Sequence, residues 1–528
     1  MKHTLDIALK GLSLGLSLLL CVGAAEARKP AKAPQGLLDA SEYRHYVDYF
    51  NRMEPETVVQ AIPNAEAWDW MEKNVPLFAC PQDNFEEMWY FRWWSFRKGI
   101  QETPQGYVFN EFLVKRSYSD RYNMIACAIG HHLMEGRWLH DLRYMDDYLR
   151  VWYRGNDGQP MPRLGKFSSW TPYAAWQRWL VTGDTAWLLD MLPDLDADYE
   201  RWMQYHPWPE GLYGQRDVSD GMEESISGGR RVYNARPTIN SYMYGNAAAL
   251  ADMYRLAGNA EKAALYDNRA AAMRRAVQEQ LWNTDQQFFE TRLETDRQLA
   301  GVREAIGYVP WYFNLPQQDA GHPDYQVAWL QVTDPEGFLA PYGLTTAERR
   351  HPDFRTHGVG QCEWDGAVWP FATSQTLTAL ANVLNAYEQS YVDDSVYFGL
   401  LETYVESQYK RGRPYVGEYL DETTGYWLKG DQLRSYYYNH STFADLVVTG
   451  LVGLRPRADQ VLEVHPLLPE GRWDWFCLDR IPYHGHLVSI LWDKDGSRFG
   501  KGSGLRLYAD GKLLAQSDSL LPLTVSLE

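Results

Sequence analysis

The sequence predicts an all-α (α/α)6 toroid barrel followed by a small C-terminal antiparallel β module. Three observations carry that expectation. Apolar residues recur at three- and four-residue spacing from about residue 84 to 450, turn-forming residues cut this stretch into helix pairs, and the period changes after Leu454.

Residues 1–27 have the pattern of a cleaved secretory signal. Lys2 and Lys10 give a positive start, an apolar run extends from Leu12 to Val22, and Ala25-Glu26-Ala27 is a cleavage motif. Cys21 follows Leu20 rather than a small residue, which argues against a lipid-modified cysteine. The expected location is periplasmic or secreted. The apolar run is too short to cross a bilayer, and no later stretch is apolar enough.

Residues 28–83 read as an N-terminal arm, and residues 84–457 as the barrel. Helices are expected over Phe85–Lys98, Arg121–Glu135, Trp138–Tyr153, Trp170–Val181 and Trp187–Tyr205. Gly183-Asp184 stops one helix and starts the next. Ile239–Leu256 and Ala260–Leu281, split by Gly258-Asn259, form the clearest antiparallel pair. Val368–Tyr387 and Val396–Gln408 form another, and Phe443–Leu451 is a short closing helix. Paired helices in this number fit a toroid that gathers its long loops at one end, where a pocket forms.

Residues 458–528 read as the β module. The runs Gln460–His465, His486–Trp492 and Gly504–Ala509 alternate or are continuously apolar. Asp493-Lys494-Asp495-Gly496 and Ala509-Asp510-Gly511-Lys512 are the expected hairpin turns.

The net charge of −18 over 528 residues argues against nucleic acid or an anionic membrane as partner. Cys80, Cys127, Cys362 and Cys477 remain after the leader. They are far apart, lack metal-ligand spacing and read as buried thiols rather than bridges. The 22 Trp and 36 Tyr supply flat faces and polar tips of the kind that stack on and hydrogen-bond to sugars, although a large aromatic core would have the same composition.

Chemistry concentrates in two loops. Residues 211–228 place Asp217, Asp220, Glu223 and Glu224 in a Gly- and Ser-rich segment with no long apolar face. A second acidic loop surrounds Glu418. Glycosidic hydrolysis needs one carboxyl to protonate the leaving oxygen and a second carboxylate to activate water or attack the sugar. The acid must keep its proton near neutral pH, which like-charge neighbours or an apolar pocket provide. Two acidic loops in an aromatic-rich helical chain therefore point to a glycoside hydrolase on an oligo- or polysaccharide.

Gly221-Met222-Glu223-Glu224-Ser225 resembles the general-acid loop of glycoside hydrolase family 63 and the related mannosylglycerate-hydrolase-like, six-hairpin enzymes. Trp364-Asp365-Gly366-Ala367-Val368-Trp369-Pro370 is similar to a Trp-rich motif of that family, and Gly417–Gly425 to its general-base loop. Tyr438-Asn439-His440-Ser441 also fits, and the pieces keep their order from about residue 85 to 455. The resemblance implies an (α/α)6 barrel and an inverting exo-glycosidase acting on an α-linked glucoside, mannoside or similar sugar. It carries the acid to Glu223 and the base to Glu418. Glu stands where the family has Asp at the acid position, so Asp220 competes for that role.

Further candidates carry two readings each. Trp93 belongs either to a core stripe with Trp89 and Phe96 or to a pocket wall. Arg92 and Arg97 beside it would then meet hydroxyls or a carboxylate. Glu111 is a pocket carboxylate or a buried ion-pair partner. Trp364, Asp365 and Trp369, and Tyr438 and His440, line the sugar site or pack structurally. His131, His132 and Asn240 read as structural. No metal site is evident and no cofactor is called for. Beyond the leader there is no Gly-x-Ser-x-Gly elbow, phosphate-binding loop, dinucleotide fingerprint or His-Glu-x-x-His motif. The alternatives are an α-L-rhamnosidase-like hydrolase, whose β module resembles Pro482–Trp492, a uronic-acid lyase on the same barrel, and a non-catalytic carbohydrate-binding protein. The oligomeric state is left open.

Overall fold

The computed structural model describes residues 36–528, so the expected signal segment lies outside the described residues. The described chain is mostly helical, with antiparallel strands at its C-terminal end.

The helices begin and end where local chemistry directs. The Asp184 side chain accepts from the Trp187 amide at the start of Thr185–Met203, and Gly183 ends the preceding helix, Thr171–Thr182, in a left-handed conformation at φ 66°. Asn259 caps Ala260–Leu281 by accepting from the Lys262 amide. Pro237 and Pro370 occupy the first turns of Pro237–Leu256 and Pro370–Ala386, where a missing N–H costs nothing. Asp83–Lys98 and Asp394–Ser407 also follow the expected positions closely, whereas the helix expected from Trp138 begins only at Arg143 and runs to Arg154.

Two further expectations are corrected. The stretch expected as one helix over Arg121–Glu135 is helical only from Ile129 to Gly136, after two short 3₁₀ turns. Tyr122 and Asn123 both sit at φ 60°, which no α-helix accommodates. The chain from residue 110 to 128 therefore stays a loop and reaches the site. The closing helix Phe443–Leu451 is a short helical turn, Ala444–Leu446, running into a π-turn, Val447–Leu451.

The C-terminal sheet has five strands in the order Leu77–Ala79, Trp475–Tyr483, His486–Asp493, Gly504–Ala509, Lys512–Ser517. Its first strand comes from the N-terminal arm, pairing Leu77 with Asp479 and Ala79 with Cys477. Asp510-Gly511 forms a two-residue turn with both φ positive, matching the strand twist. His484-Gly485 forms a second such turn, which the sequence reading did not single out. Asp493–Gly496 does not close a tight hairpin. Asp493 pairs with Gly504, so residues 494–503 form a longer loop, and the Asp493 carboxylate accepts from the Gly496 and Phe499 amides.

The core is dominated by indoles: Trp89, Trp93, Trp94, Trp138, Trp152, Trp170, Trp311 and Trp329 are fully buried. Cys80, Cys127 and Cys477 are buried free thiols and Cys362 is a half-buried one. No helix among the described residues is long and apolar enough to cross a membrane.

Candidate active site

Loops 110–127, 166–168, 216–230, 362–371 and 416–440 converge on a hollow of about 550 Å³. Glu111, Glu223 and Glu418 line it, with Tyr118, Trp369 and Tyr438 among its aromatic walls. That volume is in the range of small-ligand sites.

Glu223 follows a short helical turn, Asp217–Asp220, that Gly221 ends at φ 74°. A Cβ at Gly221 would point at Cys127, 3.5 Å from its Sγ-bearing carbon. Glu224 is held at φ 66°, a left-handed conformation uncommon for a residue with a side chain, while its amide donates to Asp217 Oδ2 at 3.3 Å. This bend leaves Glu223 half-buried, with its carboxyl opening on the hollow. Burial pushes its pKa up to about 7. The loop backbone pulls it down, and Glu418 and Asp217 push it further up.

Glu418 stands on a segment tied to the Trp-rich motif by backbone pairing. Val368 and Leu420 exchange both amide–carbonyl hydrogen bonds at 3.0 Å, and Leu428 N donates to Tyr419 O at 3.1 Å. Its carboxylate accepts from Arg434 at 2.7 Å and lies 3.6 Å from Lys429 Nζ. Among the described hydrogen bonds none joins Glu418 to Glu223, and both line the same hollow.

Glu111 lies deeper. Its oxygens are 3.5 Å from Cys127 Sγ and 3.6 Å from His440 Nδ1. Burial raises its pKa to about 7, with Tyr438 and Cys127 beside it pulling the other way. Burial lowers His440 to about 3, so that pair is held as two neutral groups at mildly acidic pH. Trp369 stacks between Trp364 and Tyr419, with centroids 4.4 and 4.5 Å away. Its indole N–H donates to Glu363 O at 3.1 Å, fixing the ring that faces the hollow. Among the described residues no group of three or more His, Cys, Asp or Glu has metal-binding geometry.

Six sequence candidates lie away from the hollow. Asp220 is buried and accepts from Ser168 Oγ at 2.6 Å, Arg236 Nε at 2.7 Å and Thr238 Oγ1. Its lone pairs are engaged, so it anchors the acidic loop rather than facing a ligand. Trp93 is core, edge-on to Trp89 and Phe96. Arg97 donates to Ile62 O at 2.6 Å and Asn64 Oδ1 at 2.7 Å, tying down the N-terminal arm. Arg92 is likewise spent on Gln408 and Ser441. Trp364 is the buried backing of Trp369. Asp365 accepts from the His357 and Gly358 amides at 2.5 and 2.9 Å and holds that loop.

Sequence reasoning missed the cations of the hollow, Lys166, Arg216, Arg230 and Arg434. Arg216 stands within the acidic segment 211–228, where the carboxylates are the evident signal, and Lys166, Arg230 and Arg434 lie outside the motifs; only the fold shows which cations line the hollow.

Residues 121–441 match the family model of the mannosylglycerate hydrolase MGH1-like glycoside hydrolase domain, and residues 454–515 match the C-terminal domain of glycosyl hydrolase family 65. The chain belongs to the MGH1-like glycoside hydrolase family. This agrees with the family-63-like resemblance of its three loop motifs. A solved protein called sialidase superposes with a TM-score of 0.90 at 60% identity over 92% of this chain, which spans 45% of that protein. The family 63 mannosylglycerate hydrolase of Thermus thermophilus, complexed with Tris, matches at TM-score 0.52 and 13% identity, over 69% of this chain and 100% of that one. The family 78 rhamnosidase of a Bacillus species matches at TM-score 0.55 and 13% identity, over 82% of this chain and 41% of that one. The likeness to these last two is one of fold.

Proposed function

We propose that this protein is an exported, inverting exo-glycosidase on an (α/α)6 toroid, releasing an α-linked sugar from an oligo- or polysaccharide. Glu223 protonates the departing glycosidic oxygen. Glu418 takes a proton from the water that attacks the anomeric carbon from the opposite face. The observation that supports this most is that the two carboxyls line one hollow in opposite electrostatic settings. Glu223 has its proton affinity raised to about 7 by burial, while Glu418 meets two cations. Tyr118, Trp369 and Tyr438 give the hollow an aromatic wall against which the C–H side of a sugar ring packs. Asp220 serves the acid by holding its loop.

The relatives' names span mannosylglycerate, rhamnoside and sialic acid chemistry, so the sugar is best found by assay. Purified protein is incubated with aryl α-glucoside, α-mannoside, α-rhamnoside and α-sialoside and with a polysaccharide panel. Release of a reducing sugar without ultraviolet-absorbing product supports the hydrolase. Unsaturated product would indicate a lyase, and binding without turnover would indicate a lectin-like role.

A further inference from the structure

The protein carries a net charge of −18, yet four cations line its hollow. Two of them are answered. Arg434 meets Glu418 at 2.7 Å, and Arg230 Nε meets Glu224 Oε1 at 2.9 Å. Lys166 and Arg216 have no carboxylate partner among the described residues.

Both are nonetheless held in place. Lys166 Nζ donates to Tyr118 O at 3.0 Å, leaving two of its three donors free. Arg216 Nη2 donates to Ser219 Oγ at 3.0 Å, and no described hydrogen bond engages its Nη1. The segments that bear them are stitched together, with Ser168 N donating to Ser219 O at 2.9 Å. Two positioned cations with spare donors therefore stand on adjoining chains at one side of the hollow. Lys166 also lines a neighbouring hollow of about 510 Å³, so it stands where the two spaces adjoin. The cavity acids do not need these cations. Glu111 and Glu223 are both pushed up to about 7 by burial and are largely protonated below that pH.

We propose that the hollow selects a saccharide bearing a negative charge, as a carboxylate or a sulfate, and grips that group between Lys166 and Arg216. The assignment deepens, and rests on, the glycosidase reading of the same site. A guanidinium fork and an ammonium both suit planar or tetrahedral oxyanions. Local positive charge in an acidic protein gives preference for an anion over the neutral sugar of the same shape.

The test measures binding to Glu223→Gln, which removes the proposed acid without freeing a cation. Calorimetry at low salt compares glucuronate-, sialate- and sulfate-bearing oligosaccharides with their carboxyl-reduced or desulfated twins. The expected result is at least about tenfold tighter binding of one charged class over its twin. Adding Lys166→Met and Arg216→Met removes that gap while leaving the neutral twin's affinity within about twofold. Preference for carboxylates alone or sulfates alone identifies the group. Equal binding of twins, binding by no charged member, or a gap that survives both substitutions overturns the proposal. Hydrolysis by the wild-type protein is followed on the same set. A charge preference without any hydrolysis removes the glycosidase reading and leaves the anion site, whereas hydrolysis without the preference does the reverse.

Discussion

Glu418 and Arg434 face each other at 2.7 Å, carboxylate to guanidinium, on the wall of the hollow that Glu223 also lines. The backbone pairing of Val368 with Leu420 fixes the segment on which Glu418 stands. Glu418→Gln keeps shape and volume, so the fold should survive with little change in melting temperature. Turnover should fall by about a hundred- to ten-thousand-fold, the range for loss of a positioned proton acceptor. Thermal unfolding and steady-state kinetics on the substrate found by the panel check both halves.

Asp220 and Glu223 should separate cleanly. Glu223→Gln should cost most on substrates with poor leaving groups and least on activated aryl glycosides, because only the former need the proton. Asp220→Asn should act first on stability. It breaks a pair whose side chains are 1% and 0% exposed, and losing one partner of such a pair costs about 3–5 kcal/mol. Turnover per folded molecule should fall far less than in Glu223→Gln. The opposite ranking would return the acid role to Asp220.

The pH profile follows from Glu223. Its raised pKa of about 7 keeps the proton on below neutrality, so kcat/KM should decline as pH rises through about 7. The decline should flatten in Glu223→Gln. A profile level to pH 9 in the wild-type protein would contradict the assignment.

Glu111 gives a stability prediction with a definite sign. Its pKa rises from 4.5 in the unfolded chain to about 7 in the folded protein. Below the lower value both states hold the proton. Between the two only the folded state does, so stability falls as pH rises, and above about 7 the loss is complete. Glu111→Gln removes this dependence. Its melting temperature relative to wild type should climb from pH 4 to pH 8, by the equivalent of roughly 3 kcal/mol at most.

Much of the architecture was legible because it is local. Gly258-Asn259 sits between two Ala-rich helical periods, and Asp510-Gly511 supplies the two positive φ angles its turn requires. Glu111, Glu223, Glu418, Trp369, Tyr438 and His440 meet at one hollow, which the loop motifs suggested for Glu223 and Glu418 and left open for the others. The failures were non-local. Nothing near Asp220 announces that Ser168, Arg236 and Thr238 will engage its oxygens. The Trp93 stripe has the same spacing whether it faces core or cavity. The Asp493–Gly496 turn looks like a hairpin until the pairing of Asp493 with Gly504 shows ten residues between. Lys166 and Arg216 are ordinary loop cations until the fold leaves them without carboxylates.

The central claim, acid and base on opposite faces of one bound sugar, has a direct stereochemical readout. For the α-linked substrate identified by the panel, proton NMR during the first minutes of hydrolysis records which anomer appears before mutarotation. The expected first product is the β-anomer, formed by a single displacement with the carboxyls about 6.5–9.5 Å apart. An α-anomer formed first would mean a covalent intermediate on the enzyme and would contradict the roles given to Glu223 and Glu418.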